Sequence, residues 1–152
     1  MKTLAQQQYR AELVRRLRTV RRDTRPLWGR MSAHQMICHL SDAYRIAAGE
    51  KPVSSVSGLL QRTLVKWIAL YLPVRWPTGL ATLREIDQLL AGTKPVEFDS
   101  DVAALETLLD RIATRRDDGN WPEHPIFGRM SHRSWLRWGY LHMDHHLRQF
   151  GA

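Results

Sequence analysis

At 152 residues, with 43% hydrophobic and 25% charged side chains, the chain has the size and balance of one folded domain, and neither a disordered nor a fibrous class fits. A single cysteine excludes an intrachain disulfide framework and points to a reducing, cytoplasmic setting. The formal charge of +8 asks for an anionic partner, whereas the lack of a roughly 18-residue apolar run or a signal-peptide stretch gives no reason to expect a membrane partner.

The first helical pattern covers residues 3–22. Thr3 and Gln6 have capping-box spacing, and Leu13, Val14, Leu17 and Val20 line one side while Arg15, Arg18 and Arg22 line another. Glu12 and Asp23 interrupt the arginine run at 15–25 and no DNA-reading motif follows, so a solvated face is the better reading and nucleic acid is not the expected partner. Pro26 and Gly29 end the pattern.

Ser32 opens a second helix over 32–48, with Gln35 at the third helical position and Met31 and Met36 as a hydrophobic staple. Met36, Leu40, Ala43 and Ala47 share a face, which leaves Cys38, Asp42 and Arg45 on the other side; Cys38 is expected to be a partly exposed structural thiol. Residues 59–72 form a short amphipathic helix, expected to be buried, and this segment is also the candidate surface of a homodimer. The Pro- and Gly-rich stretch that follows is irregular apart from a turn of helix near 82–90. Val102, Leu105, Leu108, Leu109 and Ile112 place a helix over 100–116. The last helix, 131–150, starts on Ser131 with Met130 and Trp135 as its staple. No segment alternates as a strand would. The fold class is therefore all-α, a four-helix bundle with long crossover loops in one domain spanning 1–152.

Seven histidines carry the chemistry. His142 and His146 stand one helical turn apart, in the middle of the apolar stripe of the last helix, and His39 lies on the inward side of the second helix. Buried imidazoles need partners for their nitrogens. A divalent metal such as zinc, nickel or iron satisfies three of them and leaves a position open. His145 falls at the flank of the stripe and His34 on the far side of its helix. His124, in the loop before the last helix, and His145 are candidate acid/base groups, and Gln149 is a candidate to orient a ligand. Trp76 and Trp121, each followed by proline, are expected to wall a pocket between the loops.

"LWGRMSAHQMICHL" and "HPIFGRMSHRSWLRWGYLHMDHHLRQFG" together resemble the DinB superfamily of metal-binding four-helix bundles, and more narrowly a branch known only as a domain of unknown function. The resemblance implies that His39, His142 and His146 hold one divalent ion. It also implies a small-molecule substrate, with a low-molecular-weight thiol as cosubstrate, and thiol transfer or hydrolysis as the reaction. Relatives of this type often pair as homodimers. The usual superfamily ending is His-Arg-Gly-Gln, whereas this chain reads His146, Leu147, Arg148, Gln149, so the packing of that turn is expected to differ. The competing reading is a non-catalytic basic helical module that binds nucleic acid or another anion.

Overall fold

A computed structural model covers residues 1–152. Its helices are α1 (Gln7–Leu17), α2 (Ala33–Ala48), α3 (Lys66–Tyr71, preceded by a π-helical turn at Gln61–Val65), α4 (Phe98–Thr114) and α5 (His132–Gln149), with a short 3₁₀ turn at Arg84–Ile86. The only strand-like pairing is an isolated bridge between His124 and Gly128. The chain is an all-helical bundle, as the four amphipathic patterns require.

Both expected caps form. Ser32 accepts the amide of Gln35 at 3.2 Å while the Gln35 side chain accepts the amide of Ser32 at 2.8 Å. Ser131 accepts the amide of Ser134 at 3.2 Å. Each cap satisfies amides that the first helical turn leaves without partners. Met31 and Met130, the residues before these caps, are partly buried against the core. The fourth helix starts two residues early because Glu97 caps it, accepting the amides of Asp99 and Ser100.

α1 is shorter than its periodicity suggests. Of the Thr3–Gln6 capping box only half exists, the Gln6 side chain accepting the Thr3 amide, and the helix begins beyond it. The amide of Leu4 donates instead to the carbonyl of Leu136 on α5, which ties the chain start to the last helix. At the other end Thr24 Oγ1 takes the amide of Arg21, and this local bond ends any helix before residue 22.

α2 is the central element. It packs along α4 and against α5, while α1 lies on α5. It is therefore buried almost all round, and the expectation of a solvent-facing side is corrected: Cys38 and Asp42 are both buried. The core joins Leu13 and Leu17 of α1, Met36, Leu40 and Tyr44 of α2, Leu105 and Leu109 of α4, and Trp135, Met143 and Leu147 of α5. Gly139 lets α5 approach this core closely. A Cβ there would stand 2.7 Å from Leu4 Cδ1, and its carbonyl accepts the Tyr44 hydroxyl at 3.0 Å.

α3 departs from expectation. The sequence reads as a buried amphipathic helix, yet Leu70 is its one buried residue, and Leu59, Leu60, Leu64 and Trp67 stay exposed. No helix is long and apolar enough to cross a membrane.

Candidate metal centre

The Ser131 cap sets the phase of α5, and that phase turns His142 and His146 toward α2, where His39 faces them. The Nε2 atoms of His39 and His142 lie 3.2 Å apart. The His146 ring centroid is 4.7 Å from that of His39 and 4.9 Å from that of His142. One ligand atom from each of the three lies within 4.8 Å of the others.

Two of the rings are aimed by hydrogen bonds on their far side. His39 Nδ1 donates to the carbonyl of Ile86 at 2.9 Å, and His146 Nδ1 donates to Gln149 Oε1 at 2.8 Å. Gln149 Nε2 donates in turn to the carbonyl of Trp28 at 2.8 Å, so its amide cannot flip without losing a bond. Gly29 makes room for this arrangement. A Cβ there would stand 2.8 Å from Gln149 Nε2, and its φ of +80° is one that glycine adopts without strain. With the proton of both imidazoles held on Nδ1, both Nε2 lone pairs point inward. His142 has no such acceptor; its Nδ1 is buried without a partner. Its ring is fixed by packing on Trp138 and Trp76, at centroid distances of 4.9 and 6.1 Å.

Burial drives all three imidazoles below the ordinary histidine range. For His142 the neighbours His146 and His39 add to the effect; for His39 and His146 the hydrogen bonds to Ile86 and Gln149 oppose it in part. The set is therefore neutral at neutral pH, the form in which imidazole binds a metal.

The donor set fits a divalent ion. Two nitrogens, each about 2.05 Å from a tetrahedral ion, stand about 3.3 Å apart, close to the 3.2 Å observed between His39 and His142. Without an ion, the inward Nε2 of His39 is left to meet Nε2 of His142, and His142 Nδ1 has no partner in either tautomer.

Residues 4–152 match a family described as "Protein of unknown function (DUF1569)". The chain belongs to that family. No curated protein and no solved structure matches the chain. Within this family member the remaining candidates divide by what they touch.

Gln149 holds His146, as described. His145 is buried beside the centre and does not join it. Its ring lies 5.2 Å from His146 and 6.0 Å from Trp76, its Nδ1 has no partner, and burial lowers its pKa. His124 is committed to its own loop. Nδ1 accepts the amides of Ile126 and Phe127 at 3.2 and 3.1 Å, the ring stacks on Phe127, and burial pushes the pKa down to about 3. Trp76 covers His142 and His145, whereas Trp121 stacks on Trp135 and under Arg115, one layer away, so the two tryptophans do not wall one pocket. On the outer side of Trp76 lies a cleft of about 350 Å³ whose walls include Arg75, Arg137, Tyr140 and Arg148.

On the opposite side of α2, His34, Cys38 and Asp101 also bring three donor atoms within 4.8 Å. There the groups already satisfy one another: His34 Nε2 lies 2.7 Å from Asp101 Oδ2, which also accepts the amide of Val96 at 3.1 Å and the Cys38 thiol at 3.8 Å. Burial, then Asp101, pushes the Cys38 thiol up to about 12. This cluster ties α4 to α2.

Two contributors were invisible to residue spacing, because they are the backbone carbonyls of Ile86 and Trp28. A third is Asp42, which accepts the backbone amide and hydroxyl of Thr93 at 2.8 and 2.6 Å and the side-chain amide of Gln88 at 3.4 Å. These bonds pin to α2 the loop that brings the Ile86 carbonyl to His39.

Proposed function

We propose that His39, His142 and His146 hold one divalent metal ion and that the protein is a metal-dependent enzyme acting on a small molecule, by thiol transfer or hydrolysis. The observation that carries this reading is the convergence of three neutral imidazoles from two helices, two of them aimed by hydrogen bonds at Nδ1. A histidine on the second helix and an H-x-x-x-H pair on the last also support placing the family beside the DinB superfamily. Three protein ligands are the number used by catalytic zinc sites, which keep a position open.

When bound, such an ion supplies Lewis acidity, which makes a water or a thiol acidic enough to react near neutral pH. The chain's own residues do the rest. His39 and His146 present Nε2 in a fixed direction because Ile86 and Gln149 retain the protons on Nδ1. Trp76 and Trp138 pack on His142 and keep bulk water from that side. His145, buried beside His146 with an uncommitted Nδ1, is the group positioned to accept a proton from a substrate. His124 is less suited, since its Nδ1 lone pair is already occupied by two amides.

The nucleic-acid alternative is weakened by the arginine run itself. Arg16 is tied to Asp144 and to the carbonyl of Ala152, and Arg18 to Glu106. The test is the metal content of the purified protein beside that of His142→Ala, together with a screen of thiol-transfer and ester-hydrolysis substrates with and without chelator. Equal metal in both proteins overturns the site; metal without any chelator-sensitive turnover overturns the enzyme.

A further inference from the structure

The cleft outside Trp76 has two kinds of wall, apolar surface from Leu72 and Trp76 and positive charge from Lys2, Arg75, Arg137 and Arg148. Asp144 is the one carboxylate that lines it, and it is already engaged by Arg16 at 2.7 Å and Arg148 at 3.0 Å. Lys2 lies 3.5 Å from Glu12. That leaves Arg75 and Arg137 without an acid of their own; Asp144 bears on Arg137 only from beyond ion-pair distance.

Arg137 is the more telling of the two. It is half-buried and held by two carbonyls, with Nε donating to Leu70 at 3.0 Å and Nη1 to Lys2 at 2.6 Å. Those bonds fix the plane of the guanidinium and bring no counter-charge, so burial pulls its pKa down. Its second terminal nitrogen is left free for another acceptor. Tyr140 is 4% exposed yet reaches the cleft, and its hydroxyl, beside Lys2, donates to no acceptor in the chain. A half-buried cation without an anion is costly, and fixed donors that open on one space are what a bound anion satisfies.

We propose that this cleft binds a small molecule carrying a carboxylate or phosphate on an apolar body. The oxyanion pairs with the Arg137 and Arg75 guanidinium groups and accepts from the Tyr140 hydroxyl, while the apolar part lies on Leu72 and Trp76. A guanidinium fork matches the spacing of carboxylate and phosphate oxygens. The cleft, at about 350 Å³, falls within the size range of small-molecule sites, and apolar walls with a few fixed polar groups are their usual composition. Trp76 is a shared wall, since its ring also lies 6.1 Å from His142 and 6.0 Å from His145. A ligand in the cleft is thus one ring away from the candidate metal centre and uses none of its three imidazoles.

The experiment is calorimetric titration of the protein with benzoate, phenyl phosphate, inorganic phosphate and, as a neutral counterpart, benzamide. Benzoate or phenyl phosphate binds saturably at one site per chain, inorganic phosphate binds more weakly because it leaves the apolar wall uncovered, and benzamide does not bind. Whichever of the two aromatic anions binds more tightly tells carboxylate from phosphate. Arg75→Gln and Arg137→Gln each lower the affinity about tenfold; Arg75 is exposed and makes no contact on which folding depends, so its variant keeps the test open if Arg137→Gln is unstable. His146→Ala, which touches the histidine centre and not the cleft, binds as the wild type does. Absence of saturable binding by both aromatic anions, equal binding of benzamide, or unchanged affinity in Arg75→Gln would each overturn the proposal. So would loss of binding in His146→Ala, which would put the anion on an ion held by the histidines and leave the metal reading intact.

Discussion

His39 and His142 are 103 positions apart in the chain, yet their Nε2 atoms meet at 3.2 Å. This contact joins α2 to α5 at a point where hydrophobic packing alone would place carbon. The cost of two buried imidazoles there is offset if their lone pairs share an ion.

We expect one equivalent of divalent metal per chain, not two. His142→Ala loses it while the circular dichroism of the helical fold is retained, because bundle packing supplies most of the stability. Cys38→Ser keeps it, because the His34, Cys38 and Asp101 groups are already hydrogen-bonded to one another. Elemental analysis of the three proteins decides the matter; a second equivalent that disappears with Cys38→Ser contradicts this assignment.

Gln149 acts through His146. Replacing it by alanine frees the Nδ1 proton and leaves the imidazole able to rotate, so metal affinity falls by about 10–100-fold. Gln149→Glu restores part of the loss, since a carboxylate still accepts from Nδ1. Competition with a chromogenic chelator measures both, and equal affinity in all three proteins removes Gln149 from the site.

Stability of the metal-free protein depends on pH through its buried histidines. His124 titrates at about 3 when folded and at about 6.5 when unfolded. The unfolded chain takes up the proton first, so the stability is fully present above pH 6.5 and declines as the pH falls toward 3. His124 alone gives a slope of about 1.4 kcal/mol per pH unit across that window. His39, His142 and His146 are lowered in the same direction and steepen the decline. Urea midpoints recorded with chelator from pH 7.5 to 5 test this, and a flat profile contradicts neutral burial.

Ser32→Ala removes one half of a complete capping box and should cost about 1 kcal/mol. Denaturant melts of the variant check it. A loss indistinguishable from zero means that α2 draws its start from packing alone.

Gly139→Ala sets a methyl against Leu4 Cδ1 at 2.7 Å and Tyr44 Cε1 at 3.3 Å. Overpacking of this kind typically costs about 1–3 kcal/mol. Retained stability would show that the chain start, held to α5 by the Leu4 amide, shifts aside.

Much of this protein is determined by short-range pattern. Ser32 with Gln35, and Ser131 before Trp135, start their helices because a side chain three residues from an amide finds it wherever the helix goes afterwards. The H-x-x-x-H spacing of His142 and His146 places both rings on one face for the same reason, as helical geometry is local. Tertiary structure alone decides what stands opposite a face. Leu59, Leu60 and Leu64 have the period of a buried helix and remain exposed because no neighbour covers them. Cys38 and Asp42 lie on the polar side of α2 and are buried because α4 and the loop around Thr93 close over them. The groups that aim His39 and hold Gln149 are the carbonyls of Ile86 and Trp28, and every residue carries a carbonyl. Their selection is a fact of chain path, and no choice of side chain announces it.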